Sequence, residues 1–174
     1  MRDEKLRVIV EGALMVALAF VLSFVKVFTA PYGGSITLGS MIPIILFALR
    51  HGVGPGIFAG AVHGLLQLIV EPVIVHPVQV LLDYILAFGL LGLAGLFQDK
   101  PVLGTVVGVG GRFVSHFISG VIWWGVFAPE GMNVWLYSIL YNGAYLLPEL
   151  IVSVVIVKYA LEPFLKQRAT TNPM

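Results

Sequence analysis

The sequence predicts an all-α integral membrane protein with six transmembrane helices. Three observations lead there: 59% of the residues are hydrophobic, only 11% are charged, and the mean hydropathy is +0.99. A soluble domain carries roughly 25% charged residues. At about 20 residues per span, 174 residues accommodate five or six spans with short connections, so residues 1–174 read as one transmembrane domain. A net charge of +1 argues against nucleic acid as a partner and leaves the lipid bilayer as the main surroundings. The absence of cysteine removes disulfides, thiolate metal sites and cysteine nucleophiles.

Span one is expected at about Val8 to Phe28. Its apolar run exceeds the ~7–15 residues of a signal-peptide core and has no convincing small-residue cleavage site, so it reads as a retained helix. Thr29 to Leu38 mixes Pro31, Gly33 and Gly34 with small polar residues and makes a poor helix. This Gly-rich stretch is either an ordinary outer loop or a segment that dips back where protein covers its backbone. Span two, Ser40 to Leu49, is short and ends at Arg50 and His51, so it is expected to start below the surface. Span three runs from about Gly54 to Val70, and span four from near Pro77 to Phe97, ahead of the polar break at Gln98 to Pro101. Span five covers about Leu103 to Phe127. Span six starts between Val134 and Asn142 and reaches about Leu161, followed by a polar tail from Lys166.

Lysine and arginine accumulate in cytoplasmic loops. Arg2, Lys5, Arg7, Arg50, Lys100, Lys158, Lys166 and Arg168 fall on one side and Lys26 on the other, so both termini are expected in the cytoplasm and the Gly-rich loop outside.

An ionisable side chain in the hydrocarbon costs at least ~2.5–3.5 kcal/mol and usually faces a partner, a cavity or a substrate. The candidates are His63, Asp83, Arg112, His116 and Glu149. Arg112, His116, Gly120 and Trp124 recur every four residues, so one helical face carries a cation, an imidazole, a gap and an indole. At ~1.5 Å rise per residue, His116 lies about 12 Å below Trp124 and Arg112 about 18 Å below it. Asp83 is expected level with the stretch between Gly120 and His116. Trp124, Trp135, Tyr137, Tyr141 and Asn142 would complete an aromatic enclosure at the outer ends of the last two spans. Gly120 leaves an opening and permits close approach.

Such a pocket suits a small organic cation with a hydrogen-bonding ring. A carboxylate at low dielectric takes the charge, aromatic faces hold it, and an amide fixes orientation. Arg112 opposes a cation, so it would neutralise Asp83 in the empty pocket or contact the far end of the ligand. Each feature has a plainer reading: tryptophan and tyrosine form interfacial belts, Asp83 and Arg112 form a structural ion pair, and His63, His116 and Glu149 bond within the core.

Three segments carry a resemblance: HPVQVLLDY (His76 to Tyr84), RFVSHFISG (Arg112 to Gly120) with Trp124, and WLYSILYNGAY (Trp135 to Tyr145). Together they resemble the thiamine-specific substrate-binding subunits, or S components, of energy-coupling-factor transporters, over nearly the whole chain. The resemblance implies that Asp83 and Tyr84 engage the aminopyrimidine of thiamine, that Arg112, His116, Gly120 and Trp124 complete the site, and that Tyr137 and Asn142 contribute from the sixth span. It implies a lid at Gly33 and Gly34; relatives place a tryptophan where Gly34 stands. It also implies that Ala13 and Ala17, a small-residue pair one turn apart, dock a transmembrane coupling subunit, and that two ATP-binding subunits power uptake across a prokaryotic cell membrane. No GxxxxGK[ST] motif is present, so ATP would be hydrolysed on partner chains. No covalent cofactor and no metal are expected. Three alternatives stand beside this reading: a subunit for another flat vitamin, an intramembrane enzyme using Glu149, His63 and His116, and a structural scaffold.

Overall fold

The computed structural model describes residues 2–31 and 33–161. Lys166, Arg168 and the expected polar tail lie outside the described residues. The chain runs α1 (Arg2–Ser23), β1 (Lys26–Thr29), β2 (Ser35–Thr37), α2 (Ile42–His51), α3 (Val53–Val70), α4 (Pro77–Phe97), α5 (Pro101–Phe127) and α6 (Val134–Leu161). Five of these helices are long and apolar enough to cross a bilayer, and α2 is a shorter apolar helix. Ten residues at 1.5 Å rise cover about 15 Å, half of a hydrocarbon core of roughly 30 Å. The expected shortness of the second span is therefore real, and the spanning elements are five full helices plus a half-length one.

Span one was expected to continue to Phe28, but α1 stops at Ser23 and the chain turns into a β-hairpin. In it Lys26 pairs with Thr37, Phe28 with Ile36 and Thr29 with Ser35. The pairing gives backbone groups near the membrane their hydrogen bonds without a helix. Gly33 (φ 102°) and Gly34 (φ 84°) form its tip, a backbone region that side chains with a Cβ rarely adopt. The Gly-rich stretch is thus an ordered hairpin, and Thr37 at its base is buried among the helices.

Close helix packing places α4 at the centre. Gly56, Gly60 and Gly64 form one stripe of α3. A Cβ at Gly60 would collide with the Phe88 carbonyl, one at Gly64 with the Tyr84 carbonyl, and one at Gly56 would lie 2.9 Å from Gly92 Cα. The two backbones therefore touch, as small residues allow in membranes. On the other side of α4, a Cβ at Gly104 or Gly108 of α5 would meet the Ala94 and Leu91 carbonyls at 2.7 and 2.8 Å. The apolar core, including Met41, Ile44, Ile45, Phe88, Leu91 and Val109, gathers where α2, α3, α4 and α5 meet. Gripped on both sides, α4 is a rigid carrier for Asp83 and Tyr84.

Neither α4 nor α5 is regular throughout. Leu81–Leu86 and Gly120–Trp124 are wound as π-helix, and Leu90–Phe97 and Gly125–Phe127 as 3-10 helix. Single π turns inside helices occur often at functional sites. Here the two π segments carry Asp83 and Tyr84 on one helix and Gly120 and Trp124 on the next.

The bundle also sorts its charges. Arg7, Arg50, Lys100 and Lys158 belong to helix ends opposite the hairpin, where Arg50 and His51 both bond Glu11, at 2.5 and 3.1 Å. Lys26 lies at the hairpin end and pairs with Glu71.

Candidate functional site

A cavity of about 140 Å³ opens beneath the hairpin tip. At roughly 10–15 Å³ per water-sized probe sphere, it holds an organic molecule as readily as a cluster of waters. Asp83, Tyr84, Arg112, His116, Gly120, Trp124, Tyr137 and Asn142 all line it, as do Gly33 and Gly34. Three helices and the hairpin bring these ten positions together.

Asp83 is the polar centre. Its Oδ1 lies 3.1 Å from His116 Nδ1, and its Oδ2 accepts from Gln79 Nε2 at 2.7 Å, Ser119 Oγ at 2.9 Å and Trp124 Nε1 at 3.3 Å. The level expected for Asp83, between Gly120 and His116, is the level at which these bonds form. Gln79 sits one turn before Asp83, fully buried, and also donates to the Val73 carbonyl, so the carboxylate is held by its own helix as well as by α5.

Arg112 does not pair with Asp83 directly. Its Nε donates to His116 Nε2 at 3.3 Å, and its guanidinium carbon lies 4.1 Å from the centre of the Phe88 ring. Since Arg112 can only donate, Nε2 must accept, which leaves Nδ1 as the protonated nitrogen that donates to Asp83. The imidazole therefore separates the cation from the anion, and the direct Asp83–Arg112 pair is replaced by a three-residue relay.

Several side chains do more than line the cavity. The Tyr84 hydroxyl donates to the Glu71 carbonyl and accepts from Val73 N–H, both at 2.8 Å, tying the link between α3 and α4 to the pocket wall. Asn142 is 5% exposed; its Nδ2 donates to the Ser138 carbonyl at 3.0 Å and its Oδ1 accepts from the Tyr145 hydroxyl at 2.7 Å. Gly120 is a contact glycine, because a Cβ there would collide with Ser138 Oγ and lie 3.2 Å from Asn142 Nδ2. Its missing side chain lets α6 approach α5 more than it opens a slot.

The hairpin closes the cavity from above. Tyr141 donates its hydroxyl to the Pro31 and Gly33 carbonyls, and a Cβ at Gly34 would stand 2.7 Å from the Tyr145 ring. With the Tyr145 ring in this position a side chain at Gly34 would clash, so here backbone and α6 tyrosines form the cover.

The other candidates lie apart. His63 is fully buried with its ring edge-on to Phe88 at 4.8 Å, outside the cavity. Glu149 is buried and bonds Thr37. Trp135 is 58% exposed and packs on Phe117, while Trp123 stacks on His76 at 5.3 Å. His63, His116 and Glu149 do not converge, and among the described residues no group of three His, Cys, Asp or Glu could hold a metal ion. Ala13 and Ala17 are both exposed on α1, turned away from the bundle.

Sequence reasoning missed Gln67, Glu71, Gln79, Phe88 and Tyr145, which also line the cavity. Gln79 and Tyr145 had a signal: each lies one helical turn from a residue already singled out, Asp83 and Tyr141. Gln67, which donates to Ser23 Oγ at 2.8 Å, had one too, as an amide within the apolar run of span three.

Comparison with known proteins agrees with this architecture. Residues 9–168 match the model of a family described as thiamine transporter protein. The chain is 36% identical over 167 residues to the thiamine transporter ThiT of Bacillus subtilis, covering 85% of this chain and 86% of that one. It is 35% identical over 176 residues to ThiT of Lacticaseibacillus paracasei, covering 90% and 87%. A solved structure of ThiT from Listeria monocytogenes superposes with a TM-score of 0.81 at 30% identity, covering 96% of this chain and 97% of that one. An all-α membrane bundle of this kind, matched along nearly its whole length, belongs to the thiamine transporter protein family.

Proposed function

We propose that this chain is a thiamine-binding transport subunit of a bacterial cell membrane, and that the cavity beneath the hairpin is its thiamine site. The observation that carries the reading is the half-buried Asp83 carboxylate, gathered by four donors in a pocket walled by Trp124, Tyr137 and Tyr141. Thiamine joins an aminopyrimidine to a cationic thiazolium. Such a molecule needs an acceptor for its amino group and aromatic faces for its charge.

The hydrogen bonds to Asp83 differ in length, and the longest is the one from Trp124. An incoming amino group displaces that bond most easily and frees the indole to stack on the ligand. Gln79, Ser119 and His116 keep the carboxylate aimed while this happens. Arg112 acts through His116, fixing the tautomer that donates to Asp83, which gives the deep cation a role compatible with a cationic ligand.

Transport, rather than catalysis, is the role supported by the relatives' names and by the scattering of His63, His116 and Glu149. The positive-inside rule orients the hairpin and cavity outward, with Arg7, Arg50, Lys100 and Lys158 at the cytoplasmic face. Delivery inward is assigned to an energy-coupling-factor module of one membrane coupling subunit and two ATP-binding subunits. The exposure of Ala13 and Ala17 on α1 supports docking there. A subunit for another flat vitamin is the alternative, and competition decides it: thiamine should displace bound pyrithiamine-like aminopyrimidine analogues, while riboflavin and biotin should not. Titrating the purified protein with thiamine while following tryptophan emission tests the assignment, and absence of quenching at micromolar ligand contradicts it.

A further inference from the structure

Three contacts fasten the hairpin to the bundle, and they differ in their access to water. At the outer side Lys26 pairs with Glu71, with side-chain exposures of 22% and 54%. At the tip Tyr141 donates to the Pro31 and Gly33 carbonyls, with Pro31 exposed. At the base Glu149 Oε1 accepts from both the backbone N–H and the hydroxyl of Thr37. That last contact is enclosed: Glu149 is 2% exposed, Thr37 4% and Ser40 5%. The Thr37 hydroxyl also accepts from Ser40 N–H at 3.1 Å and shares a hydrogen bond with the Ser40 hydroxyl at 2.8 Å, so the link passes from α6 through the hairpin base to the start of α2.

Position along α6 gives the contacts an order. Tyr141, Tyr145 and Glu149 stand four residues apart on one helical face. Tyr141 meets the tip, Tyr145 lies under Gly34, and Glu149 holds the base. An exposed ion pair is worth about 0–1 kcal/mol and competes with water and salt. A carboxylate receiving two hydrogen bonds away from water holds far more firmly. The two outer contacts are therefore the ones water reaches, and the base contact is sheltered from it.

We infer that Glu149 is the anchor of the pocket's cover, a positioning residue that holds the hairpin base through Thr37 while Lys26 and Tyr141 act as its releasable fastenings. The chemistry asks for an acceptor at Oε1. Glu149 Oε2 has no partner, and neither has the buried Ser153 hydroxyl one turn along the same face. A glutamine at 149 thus keeps both the acceptor for Thr37 and the length of the side chain. Alanine removes both. The inference rests on the thiamine reading for what the cover retains, but the cover's attachment can be measured without thiamine.

The chain has no cysteine, so a nitroxide on Thr29→Cys, at an exposed position of β1, reports the hairpin alone. In ligand-free protein reconstituted in nanodiscs, the otherwise unaltered chain should give a broad, immobilised spectrum, Glu149→Ala a sharpened one, and Glu149→Gln the broad one again. With thiamine present, Glu149→Ala should raise the dissociation rate about tenfold and leave the association rate within about threefold. An unchanged spectrum in Glu149→Ala overturns the anchor, and a Glu149→Gln spectrum as sharp as alanine's overturns Oε1 as the acceptor. Should Glu149→Ala fail to give a monodisperse protein, Thr37→Val, which keeps the backbone N–H and loses the hydroxyl, should sharpen the spectrum partly, and no change there overturns the anchor equally. If no variant binds thiamine, the ligand assignment fails while the spectra still decide the anchor.

Discussion

Asp83 Oδ1 and His116 Nδ1 face each other at 3.1 Å across the α4–α5 contact, and on the far side of the same imidazole Arg112 Nε lies 3.3 Å from Nε2. Histidine thus stands between a carboxylate and a guanidinium, both drawn toward it along hydrogen bonds. The arrangement orients Asp83 without cancelling it through a direct ion pair, and leaves a negative charge facing the cavity.

Asp83→Asn should show what that charge contributes. An amide cannot accept from His116, Gln79, Ser119 and Trp124 at once, because one of its two atoms is itself a donor. Losing the charge and part of the network should weaken thiamine binding at least a hundredfold, about 2.7 kcal/mol. Isothermal titration of the purified variant measures this, and retained affinity would remove Asp83 from the site.

Arg112→Met should act through the imidazole. Without the Nε donor, His116 Nε2 no longer has to accept, and the ring can exchange its proton between nitrogens. Nitrogen NMR of histidine-labelled protein should show one dominant Nδ1–H tautomer before substitution and a mixture after it, with roughly tenfold weaker thiamine binding. Arg112→Lys should fall between the two, since an ammonium donates but does not lie flat over Phe88.

Gly120→Ala should destabilise the protein by about 1–3 kcal/mol, because its Cβ meets Ser138 of α6. Gly110→Ala is the matched control on the same helix, with nothing within 4 Å of its Cβ, and should leave the melting temperature unchanged or slightly raised. Thermal unfolding of the two variants side by side distinguishes a contact glycine from a merely flexible one.

Lys26→Met should loosen the cover at its exposed edge. Association and dissociation rates for thiamine should rise together by a few fold, with the equilibrium constant changed less than about threefold, as befits a surface ion pair. Raising salt should produce the same acceleration in the unaltered chain and almost none in the variant. Stopped-flow fluorescence reads both.

The legible parts of the site were those where chemistry contrasts with an apolar background. Arg112, His116, Gly120 and Trp124 stood out because they repeat every four residues in a hydrophobic run, and Asp83 because a lone carboxylate there is costly. The π winding that carries Asp83 and Trp124 was hidden, since no residue type marks a single widened turn. The hairpin was hidden for a different reason. Val27 and Phe28 continue the apolar texture of α1 past Lys26, and the strand character of Lys26 to Thr29 comes from pairing with Ser35 to Thr37 across a glycine turn. Glu149 was visible as a costly residue, but its partner Thr37 lies 112 positions away and no local pattern joins them.

Thiamine is proposed to bind against Asp83 and Trp124 beneath the hairpin. Tryptophan emission during thiamine titration, in the unaltered chain and in Trp124→Phe, tests it most directly. Saturable quenching at stoichiometric thiamine, largely lost in Trp124→Phe while Trp123 and Trp135 remain, is the predicted result. Quenching of the same depth in Trp124→Phe, or none at micromolar thiamine in the unaltered chain, would contradict it.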